Sequence, residues 1–487
     1  MSEHDPTVSA RTASPAPGDD PIPAGTDLSR YAEGPAEECG VFGILAPGEA
    51  VARLTFFGLY ALQHRGQEAA GIAVSDGRRI VIHKDTGLVN QVFTDDGLEA
   101  LEGHIGVGHC RYSTTGGSTW VNAQPRYLET RDGRVIALGH NGNLVNTAEL
   151  ARELDIPATN DSEVMAALLA HDAMTPGEDG TAGTFEDAIA RVAPRLRGAF
   201  SVVAMDTQRI YAFRDRNGVH PLQIGRLPAG GWIVASETSA LDICGAVFVR
   251  DVDPGELVVI DEDGGITSRQ WADPTPSYCL FEWVYLARPD HRQDGGSVLA
   301  ARREMGRVLA REAPVDADLV IPVPEAGRDA AAGYAAEAAL PFADGLVKNR
   351  YVGRTFIQPT QSLRQLGIRL KLSPVRELVE MLRAAGAAEV HLRITSPPIA
   401  HPCYYGIDMA SRAELIGADL AIDEIREFIG CDSLHYITLD GLIDATPNER
   451  DGLCTACFSG EYPIPVPGEH EQLAQIKFDF DTPSRAT

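Results

Sequence analysis

Residues 36–44, AEECGVFGI, put a single cysteine where an acidic, unpatterned stretch turns into an apolar strand. Before it, residues 1–35 are rich in Pro, Ala, Ser, Asp and Gly and hold almost nothing to bury. Such a segment cannot offset the entropy of its own ordering. From Cys39 onward the chain reads as patterned globular protein. Two readings of the junction stand side by side. In one, Cys39 becomes the first residue of a mature chain, and its α-amine, with an ordinary pKa of about 7.7–8.0, serves its thiol as general base. In the other, a disordered tail precedes a buried cysteine, and composition alone favours that one.

The chain has 487 residues, 44% of them hydrophobic, which suits two or three domains with ordinary cores. Its net charge of −27 repels a phosphate backbone and argues against nucleic acid as a partner. No apolar run is long enough to span a membrane, and the first residues lack the basic and apolar regions of a secretory signal. A cytoplasmic chain is expected. Eight cysteines are too few for a disulfide scaffold. Cys454 and Cys457 form a lone C-x-x-C, which reads equally as a redox pair, a metal half-site or chance.

Short apolar runs with glycine punctuation fill residues 39–270, among them GIAVSDGRRIVIHKD, RVIALGHNGNL, AFSVVAMD and GELVVIDEDGG. They predict a layered α+β domain dominated by antiparallel sheet. A helix is predicted over 161–171, with Asp161 or Ser162 as its cap. Residues 272–277 (ADPTPS) make a hinge. Beyond it, ADLVIPVPEAGRDAAAGYAAEA (317–338) reads as strand, turn and helix, and SPVRELVEMLRAAGAAEVHLRI (373–394) as helix then strand. In the second segment Ser373 is the expected N-cap and Pro374 opens the first turn. Val375, Leu378, Val379 and Leu382 form the buried stripe, and Gly386 ends the helix. This alternation indicates a parallel α/β domain.

A cysteine that attacks an amide needs an oxyanion hole. GHNGNL (139–144) offers the Asn141 side chain and the Gly142 backbone N–H. HCRYSTTGG (109–117) offers Arg111 for a substrate carboxylate, and TNDSE (159–163) offers Asp161 for a substrate ammonium. Alone, each reads as readily as a hairpin turn, a surface arginine or a helix cap.

Together ECGVFGI, YALQHRGQEAAGIAV, GHCRYSTTG, GHNGNL and NDSEV resemble, in order and context, the class II, N-terminal-nucleophile glutamine amidotransferases. FEWVYLARPD (281–290), KNRYVGRTFIQPTQSLRQLGIRLKLSP (348–374), SPPIAHPCYYGID (396–408) and CTACFSGEYP (454–463) narrow the resemblance to the glutamine phosphoribosylpyrophosphate (PRPP) amidotransferase family. The resemblance covers nearly everything from residue 38 to about 463.

It implies a leader over 1–38, a glutaminase domain over 39–272, an α/β phosphoribosyltransferase-like domain over 278–460 and a polar tail over 461–487. Cys39 would be the nucleophile once the leader is removed after Glu38. Arg111 and Asp161 would hold glutamine, and Asn141 and Gly142 would stabilise the thioester-forming step. Ammonia would pass to PRPP, giving 5-phosphoribosylamine for purine synthesis, with Glu325, Gly327, Lys348, Arg350 and Arg354 at the PRPP site. Leader-bearing members carry an iron–sulfur cluster, whose ligands match Cys279, Cys403, Cys454 and Cys457. Four thiolates suit [4Fe–4S], and zinc as well. Cys110, Cys244 and Cys431 are left as core residues, and a homo-oligomer is expected.

The sequence also departs from the family. A phosphoribosyltransferase holds PRPP with a strand ending in two acidic residues, then a Gly/Thr-rich loop at a helix N-terminus. The loop cradles the 5′-phosphate, and the acidic pair engages the ribose and Mg²⁺. Here LKLSPVRE and LVEMLRAAGAAEVHLRI join directly at Glu377–Leu378, so about twenty residues, a strand with its loop and helix start, are missing. The imitation at 256–268 (ELVVIDEDGGITS) lies before the hinge and is a decoy. The pyrophosphate turn reads PEAGRD (324–329), with Ala326 and Asp329 in place of the family's Ser and Pro. His291 follows ARPD, and His220 stands where the family usually carries Arg. These departures predict an altered acceptor site and an uncertain place for Mg²⁺. Three readings follow: the family enzyme, a paralogue with a working glutaminase half and another acceptor, or a non-catalytic partner subunit.

Overall fold

The computed structural model describes residues 38–112, 120–130, 133–157, 160–173, 175, 183–346, 367–407 and 415–466. Strands β1 (Gly40–Leu45), β2 (Ala69–Ser75), β3 (Ile80–Thr86), β4 (Ile105–Arg111), β5 (Arg126–Glu129), β6 (Val135–Leu144) and β7 (Gly198–Met205) occupy its first half. They are joined there by β8 (Ile210–Arg214), β9 (Gln223–Arg226), β10 (Trp232–Ala235), β11 (Val247–Asp251), β12 (Glu256–Ile260) and β13 (Ile266–Gln270). One sheet runs β11-β9-β10-β1-β4-β2-β3 and the other β13-β12-β8-β7-β6-β5.

Alternation along β1 shows why the sheets stack. Val41 and Leu45 point into the layer shared with Val203, Met205 and Ile210 of the facing sheet. Phe42 and Ile44 point outward, among Leu59 and Leu62. Between them is Gly43, where a Cβ would meet Val203 Cγ1 at 2.5 Å, so the sheets touch through a residue without a side chain. Helix α1 (Val51–Ala61) covers the first sheet's outer face, and α2 (Asp161–Asp172) covers the second's. The order helix, sheet, sheet, helix is the layered α+β domain expected of this half. Helix α2 is capped by Asn160, whose side chain accepts from Glu163 N at 2.9 Å, and not by Asp161 or Ser162. Asp161 is the first helical residue and its carboxylate is turned toward β6, accepting from Leu144 N at 3.2 Å.

In the second half α3 (Val298–Glu312) packs on α4 (Arg328–Ala338). Strand β14 (Tyr278–Cys279) runs parallel to β17 (Leu453–Cys454), and β15 (His391–Ile394) parallel to β16 (Ser433–Tyr436). The strand expected at 317–323 is reduced to one parallel bridge, Val320 to Phe342. Leu319 and Val323 beside it are 46% and 51% exposed. The apolar core falls into two pieces: Leu280, Trp283, Met305, Leu309 and Leu442 in one, and Val379, Val390, Ile425 and Leu434 in the other. Apolar residues left on a surface beside a strand with one bridge are what removal of a central strand from a parallel sheet produces.

Helix α5 (Gly367–Ala384) runs unbroken through the Glu377–Leu378 junction, with Val379 buried. It begins at Gly367, so Ser373 is not its cap and Pro374 lies inside it, where the ring leaves one carbonyl without its usual N–H partner. Gly386, at φ +108°, follows its end as expected.

Candidate active site

Cys39 sits just before β1, in the middle of the first sheet, buried, with its thiol donating to Tyr112 O at 3.5 Å. Arg111 ends the neighbouring strand β4, where Gly40 pairs with Cys110. Asn141 and Gly142 lie on β6 of the facing sheet, and Asp161 starts α2. Burial pushes the Cys39 thiol up to about 11; Arg111 pulls it down, while Asp161 and Glu38 push it further up. Both glutamine-holding candidates are thus within electrostatic reach of the sulfur, which stays a neutral thiol at pH 7 until a base takes its proton.

The Asn141 side chain is fully buried, and neither its oxygen nor its nitrogen has a hydrogen-bond partner among the described residues. Leaving such an amide unpaired costs about 1–3 kcal/mol, a cost a ligand removes on binding. Gly142 has φ +138°, and a Cβ there would meet Ala199 O at 2.1 Å, so only glycine fits. Asp161 is held from three sides: Ser162 N donates to Oδ1 at 2.7 Å, Leu144 N to Oδ2 at 3.2 Å, and His140 Nδ1 lies 3.6 Å from Oδ2. Burial depresses both His140 and His109, the latter to about 3, so these rings are neutral props behind the site.

The four cysteines predicted as cluster ligands come together at the junction of the two halves. The β14–β17 pairing sets Cys279 beside Cys454, Cys457 follows in the next turn, and Cys403 joins from a loop. Burial raises all four thiols, Cys403 to about 12 and Cys454 to about 11. Backbone N–H groups meet these sulfurs, Tyr405 N donating to Cys403 Sγ at 3.4 Å. The loop also touches the glutaminase strands, because Asn143 Nδ2 donates to Tyr404 O at 3.0 Å and a Cβ on Gly406 would strike Gly142 Cα at 2.9 Å.

One cluster was not legible in the sequence. Arg65 is buried and donates to Glu282 at 2.9 and 2.7 Å, to Glu237 at 2.5 Å and to Glu38 at 3.1 Å. His220 Nδ1 lies 2.9 Å from Glu38 Oε1. Burial lowers the basicity of His220, but Glu38 and Glu282 outweigh it and bring its pKa to about 9. Burial likewise raises Glu282, to about 8, with Arg65 opposing and Glu38 adding. His220 therefore belongs to the junction of the halves and not to the acceptor site, where its departure from the family pattern had been counted. His291 is also buried, its Nδ1 accepting from Thr238 N at 3.2 Å and its pKa lowered to about 4 by burial. Arg65 lies in a quoted motif (YALQHRGQE), but a buried arginine and a solvated one look alike in a sequence.

Residues 109–243 match a sequence profile described as a glutamine amidotransferase domain. The chain is 54% identical over 472 residues to the amidophosphoribosyltransferase of Mycobacterium tuberculosis, covering 89% of this chain and 88% of that protein. The chain belongs to the amidophosphoribosyltransferase family. The Bacillus subtilis amidophosphoribosyltransferase is 41% identical over 461 residues, covering 88% of this chain and 95% of that one. A solved B. subtilis glutamine PRPP amidotransferase, complexed with ADP and GMP, superposes with a TM-score of 0.79 at 38% identity, covering 88% of this chain and 98% of that chain. The chain is thus an enzyme of the glutamine amidotransferase class, with the two-part fold of the amidophosphoribosyltransferases. Of the expected PRPP-site residues, Glu325 is exposed in the turn before α4 and Gly327 caps that helix, while Lys348, Arg350 and Arg354 lie outside the described residues.

Proposed function

We propose that the protein hydrolyses glutamine at Cys39 and delivers the ammonia to its second half, PRPP being the acceptor in the family reaction. Residues 1–38 are the leader, 39–272 the glutaminase domain, 278–460 the phosphoribosyltransferase-like domain and 461–487 the tail. With the leader gone, the Cys39 amine takes the thiol proton. The thiolate attacks the side-chain amide carbon of glutamine, whose ends are held by Arg111 and Asp161. Asn141 Nδ2 and the Gly142 N–H receive the developing oxyanion. The ammonium at Cys39 returns a proton to the departing nitrogen, ammonia leaves, and a thioester remains. Water, deprotonated by the same amine, releases glutamate.

The observation that carries this reading is the buried, unbonded Asn141 amide beside Gly142. Replacing Asn141 by alanine is expected to lower kcat for glutamate release by roughly 10²–10³-fold with KM for glutamine nearly unchanged. An unchanged kcat would remove the oxyanion assignment.

Cys279, Cys403, Cys454 and Cys457 would hold a [4Fe–4S] cluster. Four thiolates also suit zinc, the alternative occupant of this site. When bound, the cluster ties three distant segments together by metal–thiolate bonds. Cys454→Ser is expected to lose its iron and visible absorbance and to lower Tm by at least about 5 °C. Full retention of iron would exclude Cys454 as a ligand.

A second reading is favoured by the split core of the second half and the single bridge at Val320. In it, the glutaminase runs with the PRPP step impaired. The sequence lacks, at Glu377–Leu378, the family's acidic pair for Mg²⁺ and its loop for the 5′-phosphate.

A further inference from the structure

The residue before the nucleophile is buried more completely than the nucleophile itself: Glu38 is 0% exposed and Cys39 7%. Its carboxylate is met by side chains from two distant segments. Arg65 Nη1 donates to Oε2 at 3.1 Å, and His220 Nδ1 lies 2.9 Å from Oε1. The other ring nitrogen, Nε2, lies 2.6 Å from Tyr405 O. Both neighbours of the ring accept and neither donates, so a neutral imidazole would leave one nitrogen lone pair facing an oxygen. The imidazolium leaves no lone pair facing an oxygen, and its Nδ1 meets Glu38 Oε1 as an ion pair and not as an aligned hydrogen bond. Glu38 and, at 3.9 Å, Glu282 face the ring, and with Asp215 they favour its cationic form, while Arg65, bonded to the same two glutamates, and His140 oppose it.

A buried carboxylate survives only when it is paired. Arg65 and His220 supply two cations to the side chain of one residue, and that residue is the one whose peptide bond to Cys39 must break for the amine to appear. None of these groups takes part in glutamine hydrolysis as derived above. When Glu38 leaves, Glu282 remains near His220 as counter-ion, so the pocket stays balanced without it.

We propose that Arg65 and His220 form a carboxylate subsite that reads Glu38 and fixes the Glu38–Cys39 peptide bond for leader removal; they are positioning residues for that step. The inference rests on the reading that residues 1–38 are removed. The step is a hydrolysis. Water's oxygen bonds to the Glu38 carbonyl carbon, the C–N bond breaks, and a proton ends on the Cys39 nitrogen. The leader departs with Glu38 as its last residue, and the chain gains a free amine.

The test follows the N-terminus of the full chain by intact mass over time, for the parent and for Glu38→Gln, Glu38→Ala, His220→Gln and His220→Arg. Circular dichroism and Tm of each precursor check folding. The Glu38 variants suit this test because the substituted residue leaves with the leader, so all of them mature to the parent's sequence. Glu38→Gln, Glu38→Ala and His220→Gln are expected to mature at least tenfold more slowly than the parent. His220→Arg, which keeps a cation able to donate to both oxygens, is expected to recover most of the rate lost in His220→Gln. Glu38→Ala and Glu38→Gln maturing at the parent's rate would overturn the subsite while leaving leader removal intact. A parent that hydrolyses glutamine with residues 1–38 still attached would overturn the underlying reading, and this subsite with it.

Discussion

Cys39→Ala is expected to leave a folded chain that releases no glutamate above background, a loss of at least about 10⁴-fold in kcat. The side chain is a small buried one at the end of a central strand, so trimming it to alanine removes the sulfur and little packing. Arg111 and Asp161 are untouched, so glutamine should still bind, which calorimetry with the inactive variant would show. Residual turnover near the parent's would mean that another group attacks the amide. The Cys39 thiol is influenced by both Arg111 and Asp161. In the mature parent, kcat/KM should rise with pH as the Cys39 amine loses its proton, around the ordinary range of about 7.7–8.0 for such a group. The variant has no thiol for that amine to deprotonate, so it gives no activity to follow through that window.

The second large effect concerns coupling. On the second reading, with glutamine, PRPP and Mg²⁺ in one tube, glutamate is expected to exceed pyrophosphate by at least about tenfold, which corresponds to about 1.4 kcal/mol lost in the acceptor step. That is a modest figure for a site without its phosphate loop and its metal-holding carboxylates. The physical ground is the second half itself. Among the described residues, Val320 makes one bridge where a strand should run, Leu319 and Val323 lie exposed beside it, and β15 pairs with β16 alone. The alignment with the M. tuberculosis relative runs over 472 positions, more than the 89% of 487 residues that it covers here, as an internal gap requires. Pyrophosphate released one for one with glutamate would show that PRPP is held by other residues.

The layered first half was legible because short apolar runs with glycine punctuation fill it, and because Gly142 in the Asn141 run marks a close approach that glycine alone permits. The nucleophile and its oxyanion donors were legible for the same reason: each lies in a short motif whose chemistry depends on local backbone. The buried network of Glu38, Arg65, His220, Glu237 and Glu282 was not, since five segments far apart in the chain meet there and a charge carries no mark of burial in a sequence. The cap of α2, expected at Asp161 or Ser162, was placed one or two residues late, because Asn, Asp and Ser are all good caps and only the turn of Asp161 toward β6 separates it from Asn160. Helix α5 was expected to start at Pro374. It extends back to Gly367, an override of the usual proline boundary by the neighbouring residues. The missing strand was legible as a gap, whereas its consequence, a core in two pieces, needed the packing.

The measurement that bears most directly on Cys39 as an N-terminal nucleophile is the intact mass of active protein before and after treatment with a diazoketone analogue of glutamine, followed by peptide mapping. The account predicts a chain beginning at Cys39 that gains one adduct, on the Cys39 sulfur, and loses glutaminase activity in proportion. Active protein that retains residues 1–38, or an inactivating adduct on another residue, would contradict it.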